Sequence, residues 1–116
     1  MFLSKTSVSN VAPSTTDANI ITGMDAKVIR VIGGWVVAAG TATNITFNTK
    51  PIGSGTVISS TIYCGINGGL VMPLPTPVPF GQAPFGYFDT NKGDGLTVTT
   101  GAGASVGVTV VYVTLG

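Results

Sequence analysis

No stretch of this chain carries a helical hydrophobic period over a useful length, whereas β-type alternation recurs from end to end. Thr43-Asn44-Ile45-Thr46-Phe47-Asn48 is the cleanest case. Thr43, Ile45 and Phe47 share one face and Asn44, Thr46 and Asn48 the other, as in a half-buried strand. Leu96-Thr97-Val98-Thr99-Thr100 alternates in the same way, as does the first half of Val106–Leu115. The runs Lys27–Ile32 and Trp35–Ala39 are rich in β-branched residues and flank Gly33-Gly34. Paired glycines inside a strand pattern predict a bulge or bend. Thr56–Cys64 is expected to form one further strand, with Ile58, Ser60 and Ile62 on a common face. Asn19–Ile21 and Leu70–Met72 are shorter apolar segments. Asn67-Gly68-Gly69 and Asp89–Gly95 carry turn chemistry. Roughly six to eight short strands with such turns between them predict an all-β fold, an antiparallel β-sandwich or jelly roll. At Val111-Tyr112-Val113 both faces are apolar, so that end is expected to be covered twice, by the N-terminal arm, the long loop or another subunit.

A chain of 116 residues supports one domain. Its composition argues against catalysis. There is no His, and the four acidic residues are Asp17, Asp25, Asp89 and Asp94, all in predicted turns or loops. A catalytic constellation needs a base within reach of a nucleophile, so no catalytic residue and no enzyme activity is expected. Asp89-x-Asn91-x-x-Asp94-Gly95 superficially matches a calcium loop, but Gly93 stands where the third ligand belongs. Cys64 is the single cysteine and sits in an apolar run, as a small buried hydrophobe does. No metal or cofactor is expected.

The five basic residues are scattered, so no nucleic-acid surface is expected. No apolar run reaches the roughly 18 residues of a spanning helix, and the first residues do not follow a signal-peptide pattern. Synthesis in the cytoplasm, with no membrane partner, is the expectation. Charged residues are only 8% of the chain. So few charges leave two readings open: apolar surface that faces a partner, or a neutral coat of Thr and Gly.

Residues 1–18 are rich in Ser, Thr, Asn and Asp and are expected to be an extended N-terminal arm, with the sandwich over 19–116. Pro73, Pro75, Pro77 and Pro79 alternate through a loop that spans 73–85. Alternate prolines rule out a central strand, because each lacks an N–H. Trp35 and Phe88 are expected in the core. Phe80 and Phe85 stand open between loop packing and interface anchors.

The order of several segments resembles small β-sandwich accessory proteins of tailed-phage virions. It runs from Lys27-Val28-Ile29-Arg30-Val31 through Asn67-Gly68-Gly69-Leu70-Val71-Met72-Pro73 and Gly86-Tyr87-Phe88-Asp89-Thr90. Gly93-Asp94-Gly95-Leu96 and Gly107-Val108-Thr109-Val110-Val111-Tyr112-Val113 complete the series. The resemblance implies a virion structural protein of the capsid decoration, or cement, type: a jelly-roll domain, often a homotrimer, bound to the major capsid protein on the mature head. A tail- or fibre-borne module that binds host surface carbohydrate is the alternative. The arm and the Pro-rich loop are the expected contact elements, through Phe2, Leu3, Pro75, Pro77, Phe80 and Phe85. Removal of residues 1–17 is expected to leave the fold intact.

Overall fold

The computed structural model describes residues 3–75 and 84–116. Its strands are β1 (Ser4–Val11), β2 (Ala18–Ile21), β3 (Val28–Ala38), β4 (Thr43–Lys50) and β5 (Thr56–Val57). They continue with β6 (Ile62–Cys64), β7 (Gly69–Met72), β8 (Phe88–Asp89), β9 (Gly95–Thr100) and β10 (Val106–Leu115). They form two antiparallel sheets packed as a β-sandwich. Sheet A runs β1-β10-β3-β7, with β8 also on β3; sheet B runs β2-β9-β4-β5, with β6 also on β4.

The alternation read from the sequence decides which side chains enter the space between the sheets. Ile45 and Phe47 of β4 and Leu96 and Val98 of β9 point inward from sheet B and are fully buried. Ile29, Val31 and Val36 of β3 meet them from sheet A, with Val106, Val108 and Val110 of β10. Each such side chain contributes about 1.5–3 kcal/mol by leaving water. Phe88 is half-buried and stacks on Phe47, with ring centroids 4.9 Å apart and planes tilted by 35°.

The glycine pair in β3 marks a bulge. Val111 lies opposite Gly33 and Tyr112 opposite Val31, which leaves Ile32 as an extra residue. Gly34 sits at φ +126°, and a Cβ there would run into the Thr109 carbonyl oxygen. Beyond the bulge, β3 pairs with β7; before it, β3 pairs with β8.

Two expectations are corrected. The N-terminal segment expected as an arm over 1–18 is, over Ser4–Val11, an edge strand of sheet A, and Ala18 already opens β2. Its pattern is faint because an edge strand needs few inward side chains: only Val8 and Val11 reach the core. Loss of residues 1–17 would strip that edge instead of leaving the fold intact. The single strand expected over Thr56–Cys64 is broken into β5 and β6. The break arises at Ser59, whose hydroxyl accepts a 2.9 Å bond from the Phe47 N–H in place of a backbone carbonyl.

Asp17 ties the polar side of sheet B together. Its carboxylate accepts from the Gly55 N–H at 3.0 Å, and from Asn48 Nδ2 and Thr97 Oγ1 at 3.1 Å each. The Gly55 N–H chiefly holds the carboxyl below its ordinary range; partial desolvation opposes this, and Asn48, Thr97 and Lys50 reinforce it. A depressed carboxyl contributes stability that is present above its unfolded pKa and lost as pH falls through the folded value. Asp17→Asn should therefore lower stability by about 1–2 kcal/mol at pH 6, the scale of hydrogen bonds to a charged acceptor. The difference from wild type should close at pH 2, as measured by urea denaturation across that range.

Candidate interaction face

The two outer faces of the sandwich differ in chemistry, and the difference follows from the registers. On sheet B, Thr46 lies opposite Thr99, and Asn48 opposite Thr97, which in turn faces Asn19. Asn48 and Thr97 are buried in a polar network and Thr46 and Thr99 are half-buried, while Val57, opposite Asn48, and Tyr63, opposite Asn44, stand exposed on the same face. On sheet A, one outward row runs Ser7, Thr109, Trp35, Val71 across β1, β10, β3 and β7. The next contains Gly107, Val37 and Gly69. Trp35 is 48% exposed and Val71 71%. The two are direct cross-strand partners on an otherwise flat, glycine-floored surface with no charged side chain in either row.

The other end of the same face carries the base of the Pro-rich loop. Val113 points outward opposite Arg30 and is nevertheless fully buried. The Leu74 side chain lies only 2.8 Å from where a Gly33 Cβ would stand, so glycine at 33 lets the loop settle on the sheet. Arg30 fixes the returning limb: its Nε and Nη2 donate to the Asp89 carboxylate at 2.8 and 2.9 Å, and its Nη1 donates to the Pro84 carbonyl at 3.1 Å. The bonds to Asp89 raise the Arg30 guanidinium above its usual pKa. Tyr87 Oη donates to the Pro73 carbonyl at 2.6 Å and joins the two limbs. The expected second cover over the Val111–Val113 end is thus supplied at least in part by this loop.

Above that base stand further exposed apolar groups, Leu74 at 57% and Phe85 at 82%, with Tyr87 between. Together with Trp35, Val37 and Val71 they form the densest group of exposed apolar side chains on sheet A. Exposed Val57 and Tyr63 lie on β5 and β6 of sheet B, and exposed Ile52 and Ile66 in connecting segments.

The residues expected as contacts are not all in one place. Pro75 is half-buried and Phe85 exposed, both in this loop base. Leu3 is exposed at the start of β1, on the opposite edge of sheet A. Phe2, Pro77 and Phe80 lie outside the described residues. Trp35, expected in the core, is outward-facing, because inward Val36 and Ala38 occupy the buried register of β3. The sequence offered no signal for this, since Trp35-Val36-Val37-Ala38 is apolar on both faces and carries no polar residue to mark the outward one.

Acidic groups are dispersed. Asp89 is paired with Arg30, and Asp94 Oδ2 accepts from Thr49 Oγ1 at 2.8 Å. Among the described residues no three His, Cys, Asp or Glu side chains come together as metal ligands. Cys64 is buried, and burial raises its thiol pKa, which leaves it a poor nucleophile.

Trp35 is the single tryptophan, so its fluorescence reports directly on this face. The free protein should show red-shifted emission and efficient acrylamide quenching, close to that of a small tryptophan amide. Blue-shifted, protected emission at dilute concentration would contradict an open face.

A scan against family models finds no family that matches this chain. Comparisons with curated proteins and with solved structures find no match either.

Proposed function

We propose that this chain is a virion structural protein: a capsid decoration, or cement, protein that binds the major capsid protein on the mature head of a tailed phage. The observation that carries this reading is the flat, uncharged apolar face of sheet A. Trp35, Val37, Val71 and Leu74 are exposed on it, with Trp35 and Val71 as direct cross-strand partners. A flat, uncharged apolar face gains about 25 cal/mol per Å² when it is covered. A protein that binds only the expanded lattice stabilises it by mass action and needs no chemistry.

Two further features support the same reading. The strand orders β1-β10-β3-β7 and β2-β9-β4-β5 fit a jelly roll of two interleaved Greek keys, with β6 and β8 as additions. The ordered motifs from Lys27 to Val113 resemble those of the phage accessory proteins described above. A homotrimer at a junction between capsomers would place several apolar faces on the lattice at once.

A second reading has one observation in its favour: Phe85 is 82% exposed beside Tyr87, as in an aromatic platform for host surface carbohydrate. Co-sedimentation with separated heads and tails, stripped of the native copy, distinguishes the two. Saturable binding to expanded heads, weakened roughly 30-fold or more by Trp35→Asp, is the expected result for a hot-spot aromatic. Binding to tails, lost in Phe85→Ala, would establish the second reading instead.

A further inference from the structure

We infer that the outer edge of β7 accepts an extended, uncharged strand from a partner chain, which lengthens sheet A and closes the cleft beside it. Among the described residues, β7 pairs with β3 alone. The direction of its remaining backbone groups follows from the register. The Ala38 N–H donates to the Gly68 carbonyl at 2.8 Å, and opposite residues continue as Val36 with Leu70 and Gly34 with Met72. Hydrogen-bonded pairs alternate along an antiparallel ladder. Leu70 and Met72 therefore bond to β3, while Gly69 and Val71 turn their N–H and C=O groups outward.

Proteins usually blunt such an edge with a charge, a proline or a bulge. The β1 edge has Lys5 and a register break after Val8, and β2 is broken after Asn19. Gly69-Leu70-Val71-Met72 has none of these devices.

The surroundings specify what would fit. Beside β7 the two sheets gape into a cleft of about 340 Å³, lined by Ile58, Ile62, Leu70, Met72 and Phe88 among others, with no charged side chain. Leu70 points inward, opposite buried Val36, yet it is 40% exposed. An occupant must pair with the backbone at Gly69 and Val71, send apolar side chains into the cleft at alternate positions, and lie beside Val71 on the outer face. Only an extended strand does all three. On the virion reading, on which the partner's identity rests, the donor is an extended segment of the major capsid protein.

The test has two arms. In the first, a synthetic nonapeptide of alternating Val and Thr, flanked by Lys for solubility, is titrated into the ¹⁵N-labelled full chain. Shifts centred on Gly69 and Val71, with slowed exchange of the Val71 amide, are expected. Val71→Pro removes an edge-facing N–H and no bond to β3, and should weaken binding at least about tenfold, while Val71→Thr also changes the side chain but keeps that N–H and stays within about twofold. Should Val71→Pro fail to fold, Val71→Lys blocks the edge by charge and should show the same loss. In the second arm, the same variants are sedimented with expanded heads. Peptide shifts that avoid β7, or heads that bind Val71→Pro as well as wild type, would overturn the inference and leave the decoration reading standing. Wild-type protein that ignores heads yet binds the peptide at β7 would sink the decoration reading and sustain the edge.

Discussion

Side chains on both faces of a central strand need cover, and β3 and β10 are the central pair of sheet A. They pair along almost their whole length and form the middle of sheet A. Their inward residues, Val31, Val36, Val108 and Val110, are covered by sheet B. Their outward residues cannot be. The rest of the molecule is organised around that demand. At one end the base of the Pro-rich loop lies over Gly33, secured by Arg30, Asp89 and Tyr87. At the other end Trp35 and Val37 remain 48% and 41% exposed. The Gly33-Gly34 bulge separates the two regimes, because it is where β3 exchanges β8 for β7 as its neighbour.

Sheet B meets no such demand. The outward residues of β4 and β9 are Thr and Asn, and their hydroxyls and amides are absorbed by Asp17 and by one another, while Val57 and Tyr63 stand exposed on β5 and β6. Asp17 adopts φ +53°, a conformation Asp tolerates better than most residues, and its position lets one carboxylate join β4, β9 and the turn at Gly55. A module built this way keeps one face soluble without many charges. On sheet A the exposed apolar side chains are neighbours on one flat face, and that arrangement, more than the total of apolar residues, is what supports a binding role.

Much of the fold was legible because alternation and burial are the same fact in a half-buried strand. β4 and β9 appear where Thr43–Asn48 and Leu96–Thr100 alternate, and the Asn67-Gly68-Gly69 turn closes with Asn67 at φ +53°. β1 was not legible as a strand, since its polar side chains are decided by pairing with β10 and not by a buried face of their own. The break within Thr56–Cys64 depends on one serine hydroxyl in place of a ladder bond, which no local pattern announces. At the candidate site, the Pro-rich loop and Phe85 could be read from residue type. Trp35 could not be assigned a side, because Trp35-Val36-Val37-Ala38 carries no polar residue to mark the outward register.

Hydrogen–deuterium exchange of the full chain, free and bound to expanded heads, tests the central claim most directly. The account predicts slowed exchange at β7 and the second half of β3, with the amides of β2, β4 and β9 unchanged. Protection confined to sheet B, with β7 still exchanging freely on the bound particle, would contradict it.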